Sequence, residues 1–126
     1  MLNRANDQKT DVIEHLRGGD GQVIRQTLIA PEDSCGKFKM CAKLTLEPGC
    51  TIGAHAHMPD AEFCWLLEGE LLIQDGGEEK IVKPGDAWMC GDGASHYTKN
   101  VSDILRRLSG ISCEYFPVLV VDDKSA

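Results

Sequence analysis

Three of the four histidines and one glutamate fall in a pattern that can hold a metal ion. His55 and His57 stand two residues apart, so on an extended chain both imidazoles point to the same face. Glu62 follows a short turn containing Pro59 and Asp60 and opens the next β-like run. His96 opens another, after the Gly91-Asp92-Gly93 turn. Two imidazoles and a carboxylate converging from adjacent strands, joined by an imidazole from a third, are the nitrogen and oxygen donors that borderline divalent metals take. Three His and one Glu leave positions open on an octahedral ion, where water, oxygen or a chelating substrate can bind. The competing reading is that all four are ordinary polar residues of a core that holds no metal.

Other side chains carry weaker signals. Cys64 lies two beyond Glu62 and shares its face, as a soft cavity-lining group or simply as a small apolar filler. Phe63 and Trp65 then face the other way, against a second sheet or a partner. Trp88 and Cys90 share a face with each other, without the sequence deciding which. Thr98 and Asn100 share the face of His96: Thr98 could touch a ligand, Asn100 could fix a turn, and Tyr97 points away. Arg106 and Arg107 place one guanidinium on each face of a strand, either as a solvated pair or with one at a cavity mouth. His15 sits outside the pattern and reads as solvated. The six cysteines, at 35, 41, 50, 64, 90 and 113, form no CxxC, so they are expected as reduced thiols rather than a zinc or disulfide framework.

A site of this kind needs strands to carry it, and the chain reads as a string of them. Runs at 22–29, 38–46, 62–67, 70–74, 80–83, 86–90, 95–100, 104–110 and 111–116 are β-like. In 38–46, Phe38, Met40, Ala42, Leu44 and Leu46 alternate with Lys39, Cys41, Lys43 and Thr45, the period of a half-buried strand. Thirteen glycines punctuate the runs, with Pro84-Gly85 and Asp75-Gly76-Gly77 among the turn signals. Many short strands at close spacing predict an all-β sandwich or barrel. Residues 1–20 form an N-terminal arm, with 1–10 a loose lead-in and 11–17 either a short helix or an extended segment. Residues 21–121 form the barrel and 122–126 a tail.

Composition sets outer limits. Thirteen Lys and Arg against twenty Asp and Glu give 13 − 20 = −7, which argues against nucleic acid and against anionic membrane surfaces as partners. No apolar run approaches the roughly 18 residues of a membrane span, and the first residues contain no secretory apolar core. A cytoplasmic location is expected.

The two motifs together resemble those of the cupin superfamily. Gly49, His55, His57, Glu62 and Gly69 match every fixed position of its first motif. Gly85, Gly93, His96 and Asn100 match the second, in which Gly91 stands where the family pattern has proline. That departure touches a turn and not a ligand. Two motifs at the right separation carry far more weight than His-x-His alone. The resemblance implies a double-stranded β-helix, or jelly-roll barrel, holding one divalent transition metal (Mn, Fe, Ni, Zn or Cu) through His55, His57, Glu62 and His96. LEPG before the first motif and LRGGDG before the barrel resemble small bacterial members of the family. Such proteins commonly form homodimers, which would cover Phe63, Trp65 and the apolar run at 118–121.

The fold hosts many reactions, so function stays a choice between classes. A metal-dependent enzyme of oxygenase, isomerase or lyase type, acting on a small polar or anionic ligand or substrate, is the expectation. A non-catalytic binding or sensing module is the alternative, and a storage role is disfavoured by the intact ligands. Glu62, as a ligand, is a poor general base, and no catalytic residue is assigned.

Overall fold

The computed structural model describes residues 1–57, 60–91 and 93–101, and the backbone of 113–120. Among these residues ten strands occur and no α-helix: β1 (Thr10–Glu14), β2 (Gln22–Thr27), β3 (Phe38–Leu46), β4 (Thr51–Ala56), β5 (Ala61–Glu68), β6 (Leu71–Asp75), β7 (Glu78–Val82), β8 (Ala87–Cys90), β9 (Ser95–Asn100) and β10 (Cys113–Val120). They form two antiparallel sheets, ordered β1-β2-β3-β10-β5-β8 and β4-β9-β6-β7. This is the all-β architecture that the strand spacing predicts, in the jelly-roll arrangement that the family resemblance implies. No helix among the described residues is long and apolar enough to cross a membrane.

Alternation decides what each strand buries. On β5, Glu62, Cys64 and Leu66 face inward while Trp65 and Leu67 face out; on β9, His96, Thr98 and Asn100 face inward. The core between the sheets is apolar at one end, where Leu46, Leu66, Leu71, Val23 and Ala42 have no exposed surface. Each of the larger side chains contributes about 1.5–3 kcal/mol through burial. Toward the other end the inward positions turn polar, and the histidines sit there. The β6–β7 hairpin closes through Gly76 and Gly77, both at positive φ, between the paired Asp75 and Glu78. That is the backbone a two-residue hairpin turn requires.

Several strand limits differ from the sequence reading for local reasons. β2 stops at Thr27 because the next two amides, Leu28 and Ile29, both turn onto the Cys41 carbonyl. The arm resolves as a strand rather than a helix: β1 pairs along its whole length with β2 of the same chain, from Thr10 opposite Gln26 to Glu14 opposite Gln22. β10 runs past Pro117, where the sequence reading ends its strand; the β3 ladder skips Phe116 and Pro117, and the proline has no N–H to give it. The run expected at 104–110, with Arg106 and Arg107, lies outside the described residues. The five cysteines whose side chains are described, Cys35, Cys41, Cys50, Cys64 and Cys90, are free.

Candidate metal centre

β4 and β9 are neighbours, and their register sets His55 opposite His96. His57, one residue past the end of β4, completes the group, and the ligand nitrogens of the three lie within 4.8 Å of one another. Ring centroids are 4.2 Å apart for His55–His96, 4.8 Å for His57–His96 and 5.0 Å for His55–His57. Glu62 enters from β5, 8% exposed, with Oε2 3.8 Å from His57 Nε2. The four residues singled out by spacing therefore line one cavity, of about 260 Å³, together with Thr98 and the apolar Ile13, Leu16, Met40, Leu44 and Ile52.

Neighbouring groups set which nitrogen each ring presents. His55 Nδ1 lies 2.8 Å from the Gly53 carbonyl, which can only accept, so Nδ1 carries the proton and Nε2 keeps its lone pair. His57 Nδ1 lies 3.0 Å from Asp60 Oδ1, with the same consequence. Asp60 is anchored in turn by Lys39 Nζ at 3.0 Å from Oδ2. Burial pushes the Asp60 carboxyl up, but the hydrogen bonds from Lys39 and His57 outweigh it and hold the group below its ordinary value. The Nε2 atoms of His57 and His96 are buried with no hydrogen-bond partner. Leaving such atoms unpaired costs about 1–3 kcal/mol each, so a polar site that orphans two invites an explanation. A divalent ion accepting both lone pairs fits that requirement, and a carboxylate holding the far side of a ligand imidazole is the usual support for one.

Burial favours the neutral form of His55 and His96. Burial lowers the pKa of His96 to about 4, with the charges of His55, His57 and Arg17 acting in the same direction. Burial also lowers His55, opposed by its bond to the Gly53 carbonyl and reinforced by the charges of His57 and Arg17. Neutral imidazole is the form that ligates metals.

The other side chains singled out in the sequence separate cleanly. Cys64 is buried at the inward position beside Glu62, and its Sγ lies 3.2 Å from Glu62 Oε1 as a thiol donor. Burial pushes this thiol well up, with the Glu62 charge adding to the effect, and Cys90 is raised to about 12 for the same reasons. Both stay protonated near neutral pH. Trp88 and Cys90 face inward, Trp88 packing against the core. Thr98 lines the cavity, whereas Asn100 is fully buried and donates from Nδ2 to the Leu46 carbonyl at 2.7 Å. His15 is exposed, as expected.

Sequence reasoning misses Arg17, Arg25, Lys39 and Asp60. Asp60 has a signal, three residues after His57 in the motif. Arg25 has a fainter one: it sits two after the buried Val23 on β2 and so points inward. Arg17 has none.

Comparison with known proteins supplies the wider frame. The sequence profile of the cupin domain matches residues 42–106, just over half of the chain. A protein of Thermotoga maritima named oxalate-binding protein is 30% identical over 103 residues, covering 82% of this chain and 85% of its own. The crystal structure of a predicted oxalate decarboxylase from the same organism superposes with a TM-score of 0.85 at 27% identity, covering 97% of this chain and 100% of that one. KdgF from Halomonas sp. shares the fold alone, with a TM-score of 0.69 at 13% identity over 100% of this chain and 98% of its own.

Proposed function

Because this chain belongs to the cupin domain family, we propose that it holds one divalent transition metal through His55, His57, His96 and Glu62 and takes a small carboxylate at that ion. The observation that carries this reading is the pair of buried Nε2 atoms, on His57 and His96, that lack partners inside a cavity. The printed names of the Thermotoga matches, oxalate-binding protein for the sequence and predicted oxalate decarboxylase for the structure, support a carboxylate as the ligand class.

When bound, the ion would supply a Lewis acid and open coordination positions for an anionic oxygen. The chain's own residues do the rest. Gly53 and Asp60 keep the Nδ1 protons of His55 and His57 turned away from the cavity. Cys64 donates to one oxygen of Glu62 and leaves the other, Oε2, on the side of His57. Leu16, Met40, Leu44 and Ile52 exclude water from the walls, which strengthens every charge interaction inside.

Conversion of the ligand is the first reading, as an oxygenase, isomerase or lyase. A specific observation favours the second, a binding module: among the described residues Glu62 is the single carboxylate lining the cavity, so no further acid there is at hand to move protons. In either case the protein works in the cytoplasm as a homodimer, with exposed Trp65 and Met89 at the interface.

Metal analysis of protein purified without chelator tests the assignment. Near-stoichiometric metal is expected, falling away in the His55→Ala, His57→Ala double variant; equal content in both would sink it. Oxalate and related carboxylates, scored for retention and for turnover, then separate the two readings.

A further inference from the structure

The chain carries a net charge of −7, yet among the described residues its cavity is lined by three cationic side chains, Arg17, Arg25 and Lys39, against one carboxylate, Glu62. The three cations are not equally committed. Lys39 is paired with Asp60 at 3.0 Å. Arg25 reaches Asp11 at 3.4 Å through one terminal nitrogen, while its Nε is buried without a partner. Arg17 makes no side-chain hydrogen bond or ion pair among the described residues, and its charge acts on His55 and His96. A local excess of positive charge in an acidic protein marks where an anion is drawn in.

Arg17 is also held in place at a cost. It lies in a tight turn, Leu16–Gly18, at φ 55 and ψ 30, and His15 just before it is at φ 51. Neither residue is glycine, and left-handed backbone costs side-chain-bearing residues roughly 1–2 kcal/mol each. The turn is pressed onto β4 where glycines remove the obstacles. A Cβ on Gly53 would overlap the Arg17 carbonyl oxygen, and one on Gly19 would overlap the Thr51 carbonyl oxygen. Two hydrogen bonds clamp it there, Thr51 N to Asp20 O at 2.9 Å and Asp20 N to Thr51 Oγ1 at 2.6 Å. Gly53 is two residues from His55, so this clamp brings Arg17 to the wall of the histidine cavity. Strain that the surroundings overdetermine is a mark of a functional position.

We propose that Arg17, backed by Arg25, is a second anion anchor, so that the site selects small dianions: one anionic group is taken at the histidine cluster and the other at the guanidinium. The inference rests on the metal-site reading for the first of these two anchors. It narrows the ligand class from any small carboxylate to dicarboxylates and molecules of like charge.

The test uses the metal-loaded full chain, with oxalate, malonate and succinate titrated calorimetrically beside acetate and glycolate. Asparagine tolerates left-handed backbone, so Arg17→Asn removes the charge while relieving the strain. It should melt at or above the wild-type temperature and keep its metal content. Its affinity for the preferred dicarboxylate should fall roughly five-fold, as for an ion pair made by an exposed arginine. Affinity for the monocarboxylates should change less than about three-fold on the same grounds. Arg17→Lys should restore part of the loss, and Arg25→Gln should weaken the same ligands. Dicarboxylate affinity unchanged in Arg17→Asn overturns the proposal, as does equal wild-type affinity for dianions and monoanions, or no binding of any dicarboxylate at millimolar concentration. Arg17-dependent dianion binding that persists after chelator treatment would instead uphold this anchor and overturn the metal reading.

Discussion

Replacing Gly53 by alanine probes the contact on which the site's geometry depends. The backbone of Gly53 is not in the left-handed region, so alanine meets no conformational penalty there. By itself the change would stabilise the fold by about 0.4–1 kcal/mol, because the unfolded chain loses freedom. Space decides the sign. The new Cβ would overlap the Arg17 carbonyl oxygen, with the carbonyl carbon 2.8 Å and the Gly19 nitrogen 3.1 Å away. All three obstacles are backbone, and they belong to a segment clamped to Thr51 by two hydrogen bonds. Relief requires lifting the turn, which gives up those bonds at about 0.5–1.5 kcal/mol each. Overpacking strain of about 1–3 kcal/mol adds to this. After subtracting the alanine gain, a net loss of about 3 kcal/mol is expected, or roughly 10 °C in melting temperature for a domain of this size. Gly36→Ala is the control: φ is +73 with nothing within 4 Å, so only the left-handed penalty of about 1 kcal/mol applies. Thermal and urea unfolding of both variants, with and without metal, make the comparison. A Gly53→Ala protein that melts within a degree of wild type, or no lower than Gly36→Ala, would refute the argument that the turn is docked through this glycine.

Three further outcomes are expected. Asp60→Asn keeps a similar shape but loses the charge that orients His57, so metal affinity should fall about 10- to 100-fold by calorimetric titration; wild-type affinity would remove Asp60 from the account. In metal-free protein His96 sits at about 4 against an ordinary 6.5, so the unfolded chain binds the extra proton first. Stability is then full above pH 6.5 and declines as pH falls toward 4, by at most roughly 3 kcal/mol at 1.36 kcal/mol per pKa unit. Urea midpoints measured from pH 7.5 to 4.5 should show this decline, and His96→Gln should flatten part of it; identical slopes for the two proteins would count against the cause. Trp65, 45% exposed on the outer face of β5, should hold a dimer together. Light scattering should give twice the chain mass for wild type and the monomer mass for Trp65→Glu, and a monomeric wild type would end that reading.

The parts legible from sequence are those fixed by periodicity and spacing along one strand. Alternation over 38–46 marks β3 with its observed limits, and the run at 95–100 is β9. His55 and His57 two apart, and Glu62 and Cys64 two apart, share faces because side chains on a strand repeat every second residue. β4 itself is harder to see: Thr51, Ile52 and Gly53 are all buried, so no alternation announces a strand, and a glycine sits in its middle. Ile52 is buried in the core, whereas Thr51 and Gly53 meet the turn around Leu16–Gly19, a contact more than thirty residues away in the chain. The arm is ambiguous for a similar reason, since its extended form depends on hydrogen bonds from β2. Cross-strand register is likewise a tertiary decision: it sets His55 against His96 and leaves two imidazole nitrogens facing a cavity. Arg17 is the clearest case. The LRGGDG run that contains it says nothing of what its side chain does, and its meaning comes from a left-handed turn clamped over two glycines. Spacing along one strand determines which side chains share a face; only long-range contact, which orders distant segments against each other, determines what that face confronts.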